Sequence, residues 1–418
     1  MKDMGRSLTL PWHSLQHLPD HSQDYSQNDY SSSNPTLTPQ SSLQSIPSLT
    51  HNSHIPESAA AQFRCLATLK GHSSYIFSLA LSGKHIYSGA SDGEIRVWGR
   101  SPDSADFDYA VVAEGYSAAK SMVVLGDKLI TAHHDHKIRV WKIDSDSAAN
   151  YHKYRMIATV PTLNDRCLRV FSPKNYVQIR RHNRRTWVHH VDTVSCLALS
   201  GDGGLLYSVS WDRTIKVWRT SDFKCVESVQ NAHDDAINAV VLSNDDDGCV
   251  YTCSADKTIK VWARRGGDSH RRKLSLVSTL EKHKSAVNAL ALGGDGSVLY
   301  SGACDRSIIV WECDGGGAAA VGALRGHKKA ILCLAAVSDL VCSGSADGTV
   351  RIWRGGSGSG KKYSCLSVLT GHRSPVKCLM AAALDSGKRT NGESRNSYMV
   401  YSGSLDFDVR VWLIGVPF

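Results

Sequence analysis

One pattern recurs seven times along this chain of 418 residues: an Asp in a short polar turn is followed six residues later by a Trp. The seven pairs are Asp92/Trp98, Asp135/Trp141, Asp212/Trp218, Asp256/Trp262, Asp305/Trp311, Asp347/Trp353 and Asp406/Trp412. Each Trp closes a short run rich in Ile and Val, such as Ile95-Arg96-Val97-Trp98. Repetition at such a period indicates a fold built from copies of one unit. It points to binding, not to chemistry.

Every unit carries the same order of signals: a Gly-His or an equivalent, an apolar run, a second run ending in Ser or Thr, the Asp turn and the Trp run. The first unit shows them at His72, Ile76–Leu81, Ser88, Asp92 and Trp98. Short β-branched runs separated by Gly, Asp and Ser are typical of antiparallel strands. Four strands in each of seven units predict an all-β fold, a seven-bladed β-propeller.

These motifs make residues 63–418 similar to the WD-repeat family. The resemblance implies a hydrogen-bonded network in each blade. The implied sets are His72/Ser88/Asp92/Trp98, His190/Ser208/Asp212/Trp218, His233/Thr252/Asp256/Trp262, His283/Ser301/Asp305/Trp311, His327/Ser343/Asp347/Trp353 and His372/Ser402/Asp406/Trp412. In the second unit, Tyr116 stands in the place of His beside Thr131, Asp135 and Trp141. Because buried polar groups need partners, we interpret these residues as scaffold and expect no catalytic residues among them.

The two ends of the chain predict how the ring closes. Residues 1–62 are rich in Ser, Gln, Asn and Pro, a composition that predicts a disordered tail. Residues 63–69 have no blade of their own, and the chain ends six residues after Trp412, too soon for an outer strand. We therefore predict that 63–69 completes the last blade, as in the family, which removes a sheet edge. Deleting residues 1–55 should then leave the melting curve nearly unchanged.

An insertion separates the second and third repeats. The interval from Trp141 to Trp218 is 77 residues, against 42 to 59 elsewhere. The surplus, about 159–186, contains Pro-Thr-Leu, then Pro-Lys-Asn-Tyr-Val-Gln, then a basic run. This insertion resembles that of plant JINGUBANG-type WD-repeat proteins. The resemblance implies a plant regulatory adaptor connected with pollen germination through transcription-factor binding.

The basic run in this insertion contains Arg180, Arg181, Arg184 and Arg185. Three interpretations stay open: a nuclear import signal, a binding site for phosphate or an acidic peptide, and a segment without such a role, either a solvated loop or an outer strand with its charges facing water.

Composition argues against several classes of protein. No apolar run of eighteen residues is present, so no membrane span is expected, and the N-terminus lacks a secretory pattern. The twelve Cys form neither a CxxC pair nor a His/Cys cluster, so we expect no metal and no cofactor. The net charge of +9 is mild, and no direct nucleic-acid binding is expected. A monomeric cytoplasmic or nuclear protein without enzymatic activity is predicted.

A propeller presents rigid loops on each face, which reduces the entropy lost on binding. In WD-repeat proteins the face with the Gly-His and Asp turns is commonly the recognition face. Candidate partner-binding residues there are Tyr75, Phe77, His134, Trp211 and Lys377. We predict a non-catalytic protein–protein interaction scaffold. The alternative is a substrate receptor of a cullin-type ubiquitin ligase, although Trp311-Glu312-Cys313-Asp314 lacks the basic residue that this subclass needs.

Overall fold

Seven four-stranded sheets account for nearly all of the structure, which is a computed structural model. It describes residues 46–50, 62–99, 109–145, 152–162, 176–180, 183–243, 248–265, 273–314, 317–355, 363–384 and 395–417. All of these residues belong to one compact unit, Ser45–Phe418. Strands and turns, without a helix, form this described part, which confirms the predicted all-β seven-bladed propeller. No segment of it is a helix long and apolar enough to cross a bilayer.

The blades are numbered in chain order after strand β1 (Gln62–Leu69). Blade 1 contains β2 (Ile76–Ser82), β3 (His85–Ala90), β4 (Ile95–Gly99) and β5 (Tyr109–Ala113). Blade 2 contains β6 (Ala119–Leu125), β7 (Lys128–His133), β8 (Ile138–Ser145) and β9 (His152–Val160). A two-stranded sheet follows, made of β10 (Tyr176–Arg180) and β11 (Asn183–Thr186). Blade 3 contains β12 (Val194–Leu199), β13 (Leu205–Ser210), β14 (Ile215–Arg219) and β15 (Cys225–Val229).

Blade 4 contains β16 (Ile237–Leu242), β17 (Val250–Ser254), β18 (Ile259–Arg265) and β19 (Lys273–Leu280). Blade 5 contains β20 (Val287–Leu292), β21 (Val298–Ala303), β22 (Ser307–Asp314) and β23 (Gly317–Arg325). Blade 6 contains β24 (Ile331–Val337), β25 (Leu340–Ser345), β26 (Val350–Gly355) and β27 (Tyr363–Leu369). Blade 7 contains β28 (Val376–Ala383), β29 (Arg395–Ser404) and β30 (Val409–Pro417), with β1 as its fourth strand.

The core lies between the blades. The middle strands are buried along nearly their whole length, as in β3 and β14, because neighbouring blades cover both faces of each sheet. Each Trp of the repeat is at most 5% exposed and packs at such an interface. Trp98, for example, packs with residues of blade 7 and with Leu69 of β1.

Hydrogen bonds also join neighbouring blades near the ring axis. A β-bulge follows the first residue of every innermost strand, as between Val287 and Ala289. In blades 4 and 5 the side chain beside the bulge donates to the next blade. Asn288 Nδ2 lies 2.8 Å from the Ile331 carbonyl, and Asn238 Nδ2 lies 2.8 Å from the Val287 carbonyl. Bulges thus redirect side chains from the sheet toward the adjacent blade.

The seventh blade takes its outer strand from the start of the propeller. Strand β1 runs antiparallel to β30, with Phe63 opposite Ile414 and Leu69 opposite Val409. Leu69 is only 4% exposed. The pairing satisfies the outer edge of β30 and joins blade 7 to blade 1.

A short piece of the N-terminal region also lies on the propeller. The Leu49 N–H donates to the Ala323 carbonyl at 2.9 Å, and the Ala323 N–H donates to the Pro47 carbonyl at 3.0 Å. The expectation of a disordered tail through residue 62 is therefore wrong for residues 46–50. Its physical basis was polar composition, which overlooks two aliphatic residues, Ile46 and Leu49, that pack against blade clusters. Residues 1–45 and 51–61 lie outside the described residues.

The insertion contains a β-hairpin, with Gln178 of β10 opposite Arg184 of β11. Arg180, Arg184 and Arg185 lie on its two strands, so of the two structural alternatives for the basic run, loop or strand, these three residues adopt the strand. Arg181 lies outside the described residues.

Candidate recognition face

The polar network in blade 3 is a directed chain of hydrogen bonds. Trp218 Nε1–H donates to Ser208 Oγ at 2.8 Å, and Ser208 Oγ lies 2.7 Å from His190 Nε2. His190 Nδ1 lies 3.2 Å from Asp212 Oδ2, which also accepts the Val191 N–H at 2.8 Å. This arrangement requires a neutral His190 that accepts from Ser208 and donates to the carboxylate.

Protonation in this network follows from burial and pairing. Burial lowers the pKa of His190 below its ordinary value, which keeps the ring neutral. Burial alone would raise the pKa of Asp212, but His190 and the donated hydrogen bonds lower it well below its usual range. The carboxylate is therefore ionised and fully partnered in the folded protein.

Four other blades contain the same network. The His Nδ1 to Asp Oδ2 distances are 2.8 Å for His233–Asp256, 3.0 Å for His283–Asp305, 2.9 Å for His327–Asp347 and 2.9 Å for His372–Asp406. In each of these blades one hydroxyl joins the His ring to the Trp indole. The hydroxyl and indole pairs are Thr252 with Trp262, Ser301 with Trp311, Ser343 with Trp353 and Ser402 with Trp412.

The order Ser–His–Asp is also that of a hydrolase triad, but its geometry here excludes nucleophilic attack. Ser208 and Ser301 are 0% exposed, so no substrate carbonyl can approach their hydroxyls. Each hydroxyl is also occupied by an indole N–H. A nucleophile must reach its substrate and hold its base at the same time. These sets stabilise the blades and carry no acyl-transfer chemistry.

Blade 1 departs from the predicted set. His72 Nδ1 lies 3.0 Å from Glu94 Oε2, not beside Asp92, while His72 Nε2 and the Trp98 indole both contact Ser88 at 2.7 Å. Asp92 instead accepts hydrogen bonds from Ser73 Oγ and from the Glu94 N–H, both at 3.0 Å. The longer Glu94 side chain reaches His72 from two residues further along the turn. Including Asp92 as the His72 partner was wrong.

Blade 2 uses a different histidine, which the sequence did not reveal. Trp141 Nε1–H donates to Thr131 Oγ1 at 3.0 Å, and Thr131 Oγ1 lies 2.8 Å from His133 Nε2. His133 Nδ1 lies 2.7 Å from the Ser117 carbonyl.

Asp135 is not part of the blade 2 chain, which corrects the predicted Thr131/Asp135/Trp141 set. Arg139 binds its carboxylate in a bidentate pair at 3.0 and 2.6 Å. The same guanidinium lies 4.8 Å from the ring centroid of Tyr116, which packs edge-on against Trp141. Tyr116 therefore fills the space of the expected His without replacing its hydrogen bonds.

His133 makes the stability of blade 2 depend on pH. Burial is the main reason that its pKa is lowered to about 4. Since the unfolded chain takes up this proton near pH 6.5 and the folded chain does not, stability is fully present above pH 6.5 and is lost as the pH falls toward 4. The loss should be on the order of 3 kcal/mol. We expect His133→Gln to remove that part of the pH dependence in urea unfolding between pH 7 and pH 4. His134→Gln serves as the comparison: burial also lowers the pKa of His134, but its side chain is exposed, so it should remove a smaller part of the slope. An unchanged slope in His133→Gln would contradict the assignment.

No group of three or more His, Cys, Asp or Glu in the described part of the chain is arranged to hold a metal ion. The two exposed cysteines of that part, Cys65 and Cys304, lie far apart in sequence, on β1 and in the turn after β21.

An exposed aromatic pair lies on the face that carries the Gly-His and Asp turns. The rings of Tyr75 and Phe407 are 5.5 Å apart and are 47% and 39% exposed. Phe407 follows the turn Asp406 with a φ of 74°, a conformation that is costly for a bulky side chain. Sequence analysis named Tyr75 and missed Phe407. The available signal was an aromatic residue at a position where two other repeats have Gly, Gly93 and Gly348, and the remaining four have His, Arg or Lys.

A second group lies across blades 1, 2 and 3 on the same face. Lys120 Nζ is 3.7 Å from the ring centroid of Phe77 and 5.8 Å from that of Trp211. His134 is exposed, contacts Thr193 Oγ1 at 2.6 Å and lies edge-on to Trp211. Phe77 is buried at 9% exposure, so it supports Lys120 and offers little area to a partner. We call Tyr75, Phe407, Lys120, Trp211 and His134 the recognition cluster.

Lys120 is the basic residue of this cluster that sequence analysis missed. It occupies the second position of an innermost strand, as Phe77 and Lys377 do. Burial is the main reason that its pKa is lowered, to about 7, and the charge of Lys377 adds to the effect. An anionic group bound beside Lys120 would favour its charged form. Lys120 and Lys377 together therefore make this part of the face chemically suited to an anionic group.

Comparison with known proteins assigns the repeats to a family. The model of the WD40 family, described as "WD domain, G-beta repeat", matches residues 63–99, 182–219, 223–263, 274–312, 319–354 and 363–412. These segments cover more than half of the chain. The unmatched stretch between them contains blade 2, the blade whose network is built on His133.

Several curated relatives match parts of the chain. Protein ROOT INITIATION DEFECTIVE 3 of Arabidopsis thaliana is 33% identical over 192 residues, which cover 40% of each protein. WD repeat and FYVE domain-containing protein 2 of Caenorhabditis elegans is 29% identical over 40% of this chain and 39% of its own length. Autophagy-related protein 16 of Arabidopsis thaliana is 26% identical over 52% of this chain and 40% of its own length. The chain thus spans about 40% of the length of these relatives.

Among solved structures, the WD40 β-propeller domain of Doa1 resembles this fold with a TM-score of 0.59 at 22% identity. The match covers 84% of this chain and 96% of that domain. At this identity the likeness establishes the architecture alone.

Proposed function

This chain belongs to the WD-repeat family of β-propellers, and we propose that it is a non-catalytic scaffold that binds a partner protein through the recognition cluster. Propellers of this family generally serve as protein-interaction scaffolds. The observation that carries the proposal is Lys120, held between the Phe77 ring and Trp211 beside exposed His134. Aromatic residues dominate the energetics of protein interfaces, and a cation among them selects acidic partners.

The surface around this cluster is rigid before a partner arrives. A hydrogen bond between blades 1 and 2 fixes the entry of the strand that carries Lys120, because Ser78 Oγ donates to the Ala119 carbonyl at 2.8 Å. The buried networks fix the Asp turns that precede Phe407 and follow Trp211. A preorganised surface loses little conformational entropy on binding.

We extend the proposal to a regulatory adaptor of the JINGUBANG type, monomeric and present in the cytoplasm, the nucleus or both. The support is the residue pattern of the insertion, about 159–186, with its basic run. On this proposal the partner is a transcription factor, and the acidic group that meets Lys120 belongs to it. The insertion hairpin then adds a second contact or an import signal.

The test is quantitative affinity purification followed by binding measurements on the purified pair. Trp211→Ala and the double variant Tyr75→Ser/Phe407→Gly should each weaken the binding of the main partner at least about tenfold. Glycine at position 407 accepts the positive φ, so folding is preserved. Leu276→Ser removes an equally exposed side chain, 48%, from β19 and should bind as the wild type does.

Partner binding that survives both variants at wild-type strength would overturn the recognition cluster. A variant with Arg180, Arg181, Arg184 and Arg185 changed to Ala separates the insertion from the face. Loss of a DNA-binding regulator from the partner set in this variant alone would assign that contact to the insertion hairpin.

A further inference from the structure

We call the segment Ile46–Thr50 the strap. One of its residues, Leu49, makes backbone hydrogen bonds to two blades. The N–H of Leu49 donates to the Ala323 carbonyl of blade 5 at 2.9 Å, and its carbonyl accepts the Tyr363 N–H of blade 6 at 3.2 Å. Two isolated parallel bridges result, Ser48 with Ala323 and Thr50 with Tyr363. The strap therefore adds to the free edge of β23 as a guest strand would.

The side chains of the strap fill two clusters on either side of blade 5. Ile46 packs against the cluster between blades 4 and 5, which includes Tyr251 and Trp311. Leu49 packs against the cluster between blades 5 and 6, which includes Tyr300 and Tyr363. The two side chains between them, Pro47 and Ser48, are exposed. The propeller therefore binds the strap through two aliphatic side chains three positions apart and through backbone groups.

Strand β23 has a feature that makes room for Leu49. Gly322 lies opposite Val310, and a Cβ there would stand 2.7 and 2.9 Å from the two methyl carbons of Leu49. The outer strands of the other blades have a side chain at the matching position. These residues are Ala67, Ala110, Ala158, Glu227, Ser278 and Ser367.

The strap is held much less firmly than the closing strand. Strand β1 pairs with β30 at seven positions, whereas the strap makes two isolated bridges. Ile46 and Leu49 are both only half-buried. A segment with so few contacts can exchange with a competitor, while its attachment to the same chain gives it a high effective concentration.

We propose that the groove along the edge of β23, lined by Gly322, Ala323 and Tyr363, is a docking site for a partner protein. The partner segment is extended and carries aliphatic side chains at positions i and i+3. The strap occupies this site in cis until such a segment displaces it. The site lies on the outer strands of blades 5 and 6 and does not depend on the recognition cluster.

The test uses the full-length protein and a fluorescent peptide of residues 43–53. Leu49→Asp empties the groove, because a carboxylate cannot enter an apolar cluster. We expect this variant to bind the peptide at least tenfold more tightly than the wild type, whose own strap competes. Ser48→Asp is the matched control, since it adds the same charge at the exposed position, and it should behave as the wild type.

Two further variants locate the binding in the groove. The double variant Gly322→Ala/Leu49→Asp should not bind the 43–53 peptide, because the added methyl group fills the space of the peptide's Leu49. A peptide in which Leu49 is replaced by Ala should bind this double variant again in part. Hydrogen exchange supplies an independent reading. The Ala323 amide should lose protection in Leu49→Asp and keep it in Ser48→Asp, while the melting transition stays cooperative in both.

The partner is tested with a second peptide that keeps only the two aliphatic residues and replaces the rest by Ser, Thr and Ala. Binding of this peptide to Leu49→Asp supports the proposal. Equal binding of the 43–53 peptide to wild type and Leu49→Asp, or none to either, would overturn it. If Leu49→Asp binds the 43–53 peptide but not the second peptide, the groove accepts only the strap of this chain and not a partner. That result would also overturn the proposal.

Discussion

Removal of residues 1–70 is expected to abolish the cooperative unfolding of the propeller, because it takes away the strand that closes the ring. Leu69 is 4% exposed and packs with Ile76, Trp98 and Val411 at the junction of blades 7 and 1. Its burial alone contributes about 2–3 kcal/mol. The loss of β1 also leaves the backbone of β30 unpaired along seven positions. Since a domain is stable by only about 5–15 kcal/mol, these losses are decisive.

Calorimetry on three truncated chains measures this effect. A chain that begins at Ser45 keeps the strap and β1 and is the control. A chain that begins at residue 56 loses the strap and should melt several degrees lower, contrary to the first expectation from composition. A chain that begins at residue 71 should show a broad, low-temperature transition and should associate through the exposed edge. Melting of the last two within about 2 °C of each other would refute the stabilising role of the closure.

A point substitution separates the contribution of the Leu69 side chain from the effect of removing the whole strand. Leu69→Asp places a carboxylate in the junction and should cost more than about 3 kcal/mol. Leu66→Asp makes the same change on the same strand, where the side chain is 38% exposed, and should cost less than about 1 kcal/mol. Equal losses in urea unfolding would mean that the junction does not depend on Leu69.

The architecture was readable from the sequence because it depends on a repeated local pattern. The distance of six residues from Asp to Trp spans a tight turn and one strand, and seven copies predict the number of blades. The inter-blade packing of Trp98 and Trp218 follows from the same pattern, since each blade must cover its neighbour. Local chemistry and global topology agree at these positions.

The partners of His72 and Thr131 could not be read in this way. A hydrogen-bond network needs a donor or acceptor at a point in space, and different positions of the sequence can reach that point. Glu94 reaches His72 from two residues beyond the expected Asp92, and His133 reaches Thr131 from the same strand. An alignment of the repeats assumes that the same position supplies the same hydrogen-bond partner in every blade. Its assignment of partners is wrong where a longer side chain or another position reaches the same point.

The strap escaped prediction for another reason. Ile46 and Leu49 stand in a polar segment, and two aliphatic residues do not form a period. What gives them a binding place is the absence of a side chain at Gly322, on a strand more than 270 residues away. Lys120 is a related case, since its depressed pKa arises from burial and from Lys377, which lies on another blade. Contacts between distant elements are outside the reach of a single sequence.

Asp212→Ala is expected to be among the most destabilising single substitutions in the polar networks, whereas Asp92→Ala should be nearly neutral. The Asp212 side chain is 2% exposed and accepts hydrogen bonds from His190, Val191 and Thr214. Its removal leaves several buried donors without an acceptor, which should cost about 3–5 kcal/mol. Asp92 is exposed and its place beside His72 belongs to Glu94. Its removal should cost less than about 1 kcal/mol.

Urea unfolding at pH 7 compares the two variants, with Glu94→Ala as a third that should fall between them. The sequence alone assigns Asp92 and Asp212 the same role, so equal losses would favour the repeat alignment over the structure. The acid limb of the stability curve gives a second reading. Because the folded pKa of Asp212 is depressed, its contribution is present above about pH 4 and is lost as the pH falls toward the folded value. Asp212→Ala should therefore flatten stability below pH 4 more than Asp92→Ala does.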